Sequence, residues 1–227
     1  MRVTVASYNV HDFVGTDGVR DVRRVAQVLR SLEADVIALQ EVGFAAEEDT
    51  PAELLAELSG YAALAAPISR RDGVRHGNVV LTRLPIVTSR RICLDFAMHE
   101  PRTAIEARLE TGGRPLRIVA THLGLRPGER RFQVREILKY VAGDELSVTV
   151  LLGDFNEWFL AGRPLRWLHQ RFGRAAAVAT FPSRFPLFAL DRIWVHPPLA
   201  LEQFGARTSA ETKRASDHLP VVAQLVV

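Results

Sequence analysis

The sequence predicts a four-layer α/β/β/α sandwich: two mixed, mostly antiparallel sheets packed face to face with helices outside, in a single domain over residues 1–227. Three observations carry this reading. Apolar, β-branched runs such as Val148-Thr149-Val150-Leu151-Leu152 read as strands covered on both faces. Two longer segments repeat apolar residues at helical spacing with charges opposite. Between them lie strand-like pieces broken by glycine and proline, which read as antiparallel neighbours. That mixture implies two packed sheets with helices over their outer faces. With 48% hydrophobic residues, the chain can bury a substantial core.

In chain order, Arg2 to Tyr8 is a strand ending at Asn9. From Asp21 to Leu32, Val22, Val25, Ala26, Leu29 and Leu32 form one face of a helix, with Arg23, Arg24 and Arg30 outward. Asp35 to Leu39 is a buried strand that terminates in Gln40 and Glu41. Thr50-Pro51-Ala52-Glu53 reads as a capping box with proline at the first helical position, opening a helix to about Leu58. Strands follow at Tyr61 to Ala66, Asn78 to Thr82 and Ile86 to Leu94, separated by Gly73, Gly77 and Pro85. Thr103 to Glu110 alternates, and Thr111-Gly112-Gly113-Arg114 turns the chain into a strand from Leu116 to Ala120, which delivers Thr121-His122. Glu129 to Val141 is a second helix with a basic outer face of Arg130, Arg131, Arg135 and Lys139. After the Val148 to Leu152 strand come a helix at Pro164 to Phe172, a loop at Thr180 to Pro186, and strands at Asp191 to Val195 and Val221 to Val227.

The single Cys93 excludes an intramolecular disulfide and a cysteine-cluster zinc site. The amino terminus alternates like a strand and lacks the apolar core of a signal peptide, and no run is long enough to cross a bilayer. A cytoplasmic monomer is therefore expected. The formal charge is +3, and all but Lys139 and Lys213 of the 29 basic residues are arginine. Arginine suits bidentate phosphate contacts, although coding bias explains the same composition.

Polar residues collect at strand ends: Asn9, Glu41, Asn78, Arg102, His122, Asp154, Asn156, Asp191, Asp217 and His218. Singly, each has an ordinary explanation. Asn9 and Asn78 suit turns, His122 a core position and Asp217 a cap, while Gly153-Asp154-Phe155-Asn156 suits an Asx turn after a glycine that lets the backbone turn. Asp154 and Asn156 also share parity, so an extended backbone would aim both side chains to one side. Their number and type favour a site held on a rigid scaffold.

The pieces Ser7-Tyr8-Asn9, Leu39-Gln40-Glu41, Gly77-Asn78, Pro101-Arg102-Thr103, Thr121-His122-Leu123, Gly153-Asp154-Phe155-Asn156, Leu190-Asp191-Arg192-Ile193 and Ser216-Asp217-His218-Leu219-Pro220 cover almost the whole chain. In identity and order they resemble the endonuclease/exonuclease/phosphatase superfamily, the deoxyribonuclease I-like fold. The resemblance implies a metal-dependent phosphoesterase, most directly a phosphodiesterase or nuclease, with its site at one edge of a two-sheet sandwich. Asn9, Glu41 and Asp217 are hard oxygen donors suited to Mg²⁺ or Mn²⁺. Asp154 would position or deprotonate the attacking water, and Asn156 would hold phosphate or nucleophile. His218 would be the base or a phosphate contact, oriented by Asp191, because the adjacent Asp217 cannot easily turn back onto the ring. The same geometry excludes a serine triad from Ser216, Asp217 and His218. His122 would donate to the phosphate, with Arg102 and Asn78 beside it. The division between the two histidines stays open.

The substrate is either nucleic acid or a phospholipid head group, with peripheral contact to an anionic membrane as a further expectation. Pro182 to Leu187 is the expected recognition loop. The arginines at 126, 130, 131 and 135 read first as a solvated helix face. The alternative function is a catalytically silent binding domain of the same fold. Loss of metal or histidine positions would mark it, and none of the main ones is missing.

Overall fold

The computed structural model describes residues 1–44, 51–69, 75–143 and 147–227. Eleven strands run through the described residues: β1 (Arg2–Asn9), β2 (Val36–Phe44), β3 (Ala62–Ser69), β4 (Arg75–Thr82), β5 (Ile86–Cys93), β6 (Thr103–Leu109), β7 (Leu116–His122), β8 (Val148–Asp154), β9 (Asp191–His196), β10 (Leu201–Ala206) and β11 (Val221–Val226). They form a six-stranded sheet in the order β10-β11-β1-β2-β4-β3 and a five-stranded sheet in the order β5-β6-β7-β8-β9. Two pairs are parallel. β1 reaches β2 through α1 (Val22–Ser31), and β7 reaches β8 through α3 (Pro127–Val141). The other pairs are antiparallel, so the mixed, mostly antiparallel sandwich expected from the sequence is the fold observed.

Side chains alternate across each strand, and both faces are used. Val3 and Val5 of β1, Ala38 of β2, Ile118 of β7 and Leu152 of β8 meet in the apolar layer between the sheets. Tyr8 and Ile37 turn outward onto Val25 and Leu29 of α1. Leu151 and Trp194 turn outward onto Val134 and Ile137 of α3 and onto Leu165 and Leu168 of α4 (Arg163–Phe172). α1 is capped where the sequence placed its start, with Asp21 accepting from the Arg24 N–H at 3.0 Å.

Several local expectations change. Gly77 lies inside β4 rather than between strands, because a Cβ there would stand 2.3 Å from the Ala66 carbonyl oxygen of β3. Gly153 likewise continues β8 instead of turning it. Its φ of 147° and the Thr121 carbonyl oxygen, 1.8 Å from where a Cβ would sit, explain the glycine. α2 (Ala52–Glu57) has Pro51 at its cap with no side-chain cap bond, and Thr50 and Gly73 lie outside the described residues. Arg130 is not on a basic outer face of α3. It is buried, with Nε donating to Glu157 at 3.2 Å and Nη1 to the Leu125 carbonyl at 2.6 Å.

Candidate active site

The residues that fill the space between the sheets continue, at the same parity, into polar strand ends. Val148, Val150 and Leu152 lead to Asp154; Ile118 and Ala120 lead to His122; Ile193 and Val195 face inward from Asp191. Asp154 is paired in register with His122 on one side and Asp191 on the other. Across the sandwich, Asn9 ends β1. The result is a cavity of about 250 Å³ whose walls include Glu41, Asn78, Arg102, His122, Asp154 and His218.

Asp154 is the hub. Its Oδ1 accepts from the Asn156 backbone N–H at 2.9 Å, so the Asx turn and the site are the same structure. Its Oδ2 accepts from Asn9 Nδ2 at 3.1 Å and lies 3.6 Å from His122 Nε2 and 3.8 Å from His218 Nε2. Asn156, held at φ 49°, donates from Nδ2 to the Leu123 carbonyl at 2.9 Å and approaches His122 Nε2 at 3.0 Å. Burial raises the Asp154 carboxyl to about 6; nearby His218 opposes that shift and Asp191 reinforces it.

The two histidines are driven in opposite directions. His122 is held well below the ordinary histidine value by burial, by Arg102 and by His218. Its surroundings agree: Asn156 Nδ2 faces Nε2, and Arg102 Nη1 faces Nδ1 at 3.3 Å, so a doubly protonated ring would set N–H groups against N–H groups. For His218, burial disfavours the charge but Asp191, Asp154 and Asp217 outweigh it, raising the ring to about 10. Asp191 Oδ2 lies 2.8 Å from His218 Nδ1 and accepts from Thr180 Oγ1 at 2.6 Å. Asp154, Asp191 and His218 bring one potential ligand atom each within 4.8 Å of one another. Within that group the His218–Asp191 contact is itself a hydrogen bond.

Glu41 arrives by a different route. Strand parity groups it with Ile37 and Leu39, which face the outer cluster. The register of β2 against β4 shifts between Leu39 and Val42, and Glu41 has φ 55°, so the chain re-aims its carboxylate into the cavity. Glu41 Oε1 accepts from Asn9 Nδ2 at 3.0 Å. Asp217 is partly exposed, with Oδ1 4.0 Å from His11 Nδ1. Glu41 and Asp217 fit a hard divalent cation, being carboxylates open to water beside a dry site. Asn9 fits only with its amide turned over, since its oxygen accepts from the His11 N–H at 3.0 Å and its nitrogen faces Glu41.

Asn78 and Arg102 line the same cavity, but each is already engaged. Asn78 Nδ2 donates to the Thr103 carbonyl at 2.6 Å, and Arg102 Nη2 pairs with Glu100 at 2.8 Å. Sequence reasoning missed Thr180, which fixes Asp191, and Glu100, which offsets Arg102. It also missed His76, a cavity-lining residue whose Nε2 lies 3.5 Å from Asp12. Only His76 carried a signal, since it shares strand parity with Asn78.

Residues 6–218 match the model of the Endonuclease/Exonuclease/phosphatase family. The chain is 32% identical to a protein of Escherichia coli K12 described as "Uncharacterized protein YbhP", covering 87% of this chain and 85% of that one. Among solved structures, an endonuclease/exonuclease/phosphatase family protein from Leptotrichia buccalis superposes with a TM-score of 0.80 at 16% identity, covering 99% of this chain and 100% of that one. The mannosyl-6-phosphatase Bt3783 of Bacteroides thetaiotaomicron superposes with a TM-score of 0.73 at 20% identity, covering 99% and 100%.

Proposed function

The chain belongs to the endonuclease/exonuclease/phosphatase family, and we propose that it is a divalent-metal-dependent phosphoesterase that hydrolyses a phosphodiester, in nucleic acid or in a phospholipid head group, by attack of water. The observation that carries this reading is Asp154, a buried carboxyl with its pKa raised to about 6, set between Asn9, Asn156 and the two histidines. A base poised near neutrality suits removal of a proton from water as it attacks. Asn156 would orient that water. His218, kept charged by Asp191, would contact a phosphoryl or leaving oxygen, where a fixed cation favours the charge that develops. Uncharged His122, with Arg102 and Asn78, would hold the remaining phosphoryl oxygens.

Glu41 and Asp217 would hold Mg²⁺ or Mn²⁺, and Asn9 would join them through Oδ1 only by exchanging its hydrogen bonds to Glu41 and Asp154 for the metal. When bound, such a cation neutralises charge on the phosphoryl oxygens. The test is hydrolysis of a chromogenic phosphodiester by metal-loaded protein, with and without EDTA. Metal-dependent turnover is expected, and turnover that survives chelation would sink the mechanism. Plasmid DNA, single-stranded oligonucleotides, RNA and a phospholipid panel then separate the substrates. DNA cleavage well above every lipid would end the lipid reading.

A further inference from the structure

Residues 158–190 contain five arginines, at 163, 166, 171, 174 and 184, and no aspartate or glutamate. The same stretch exposes Trp158 (43%), Phe159 (73%), Leu160 (67%), Phe185 (78%) and Leu187 (73%). These side chains come from two loops that touch. Trp158 packs its ring 4.7 Å from Phe188 and 5.8 Å from Phe181, and Phe181 in turn lies 4.9 Å from the His218 ring. The loop between Phe181 and Phe188 is closed by the bridge between those two residues and carries Phe185 and Leu187 outward. An apolar surface thus begins one ring away from the site, flanked by Arg163 and Arg166 at the start of α4 and by Arg184 in the loop. Soluble proteins rarely leave so many large apolar side chains together in water without a partner.

We propose that this surface docks the protein on an anionic phospholipid bilayer, with Phe159, Leu160, Phe185 and Leu187 entering the head-group region and the arginines meeting anionic lipids. The proposal rests on the phosphoesterase reading for its purpose, since docking brings His218 and the cavity to phosphate esters at the interface. Charge complementarity favours an anionic partner, because Arg163, Arg166 and Arg184 flank the apolar side chains and residues 158–190 hold no carboxylate of their own. The mixture of side chains favours lipid over bases. Leu160 and Leu187 have no ring to stack, and Trp158 is already packed edge to face against two phenyl rings. Adsorption to an interface needs both features present here, apolar area to insert and basic residues around it. Leu125, 64% exposed, adds an apolar side chain at the cavity wall.

The test is co-sedimentation of the full chain with vesicles of phosphatidylcholine alone and of phosphatidylcholine with phosphatidylglycerol. The double variant Phe159→Ser with Leu160→Ser is compared throughout. We expect the protein to pellet with the anionic vesicles and only weakly with the neutral ones. The variant should partition about tenfold less or worse, the loss expected from removing two inserting side chains, while hydrolysing a soluble chromogenic phosphodiester at the unchanged rate. Absence of pelleting by the unaltered chain, or equal pelleting by the variant, would overturn the proposal. So would binding of a single-stranded oligonucleotide that the variant loses when vesicles bind neither protein. Pelleting without any diester hydrolysis would leave the docking surface standing and remove the phosphoesterase reading; hydrolysis without pelleting would do the reverse.

Discussion

The β1–α1–β2 and β7–α3–β8 units share one plan, two parallel strands bridged by a helix, yet their second strands deliver carboxylates to opposite environments. Glu41 leaves about a third of its side chain in water (34% exposed), whereas Asp154 is 2% exposed. The backbone causes the difference. Glu41 sits at an irregularity of β2 with φ 55°, while Asp154 ends a strand paired in register on both sides. The two environments suit different work. A hydrated divalent cation keeps several waters and needs an open carboxylate, and a carboxyl that exchanges protons near neutrality has to be dried. Duplicating a structural plan therefore duplicates where a group is placed without duplicating its chemistry.

The strongest way to break this contrast is Asp154→Ala. Steady-state hydrolysis of a chromogenic diester should fall about 10³-fold in kcat, the usual scale for losing a general base, and raising the metal concentration should not restore it. A loss below tenfold would place the base elsewhere. Glu41→Gln should behave differently. Its apparent metal affinity should fall roughly 100-fold, the scale seen when support for a bound metal is removed, and activity should recover as Mg²⁺ or Mn²⁺ is raised. A metal titration distinguishes the two variants.

Within the second unit, α3 offers a sharper contrast between buried and exposed arginines. Arg130→Ala leaves Glu157 buried without its partner and should cost about 3 kcal/mol in a urea unfolding series. Arg135→Ala removes only an exposed guanidinium over Trp167 and should cost less than about 1 kcal/mol. The smallest effect is one of shape. The pH profile of kcat should rise as Asp154 loses its proton near 6 and fall as His218 loses its own near 10. Asp191→Asn removes the carboxylate that holds the His218 proton, so the alkaline limb should move down toward the ordinary histidine range, and the acid limb should move down with it because Asp191 also helps raise Asp154. A profile with its alkaline limb unmoved would separate His218 from that limb.

Much of the fold could be read from periodicity. The strands of both units, α1 with its Asp21 start, and the outward helices follow from apolar spacing, because burial on two faces imposes that spacing. Several polar ends were also legible. Asp154 and His122 continue the inward parity of Leu152 and Ala120, so a strand-by-strand reading aims them between the sheets. Glu41 was expected to end its strand, yet β2 runs on to Phe44, and Glu41 was not legible as a cavity residue, since its parity points to the helix face and only the irregularity of β2 reverses it. Arg130 failed for the opposite reason. Its position on α3 looked solvated because the buried partner, Glu157, lies 27 residues away, beyond any local pattern.

By itself the sequence determined the layers, the polar strand ends and the chemical types available, because these depend on local periodicity and on the donors each side chain carries. Only the tertiary structure decided that Asn9 and Asp154, 145 residues apart, share a hydrogen bond, that one histidine is kept neutral and the other charged, and that Asp154 is dried. Those properties come from what each group is packed against, and packing partners distant in the chain leave no mark on local spacing.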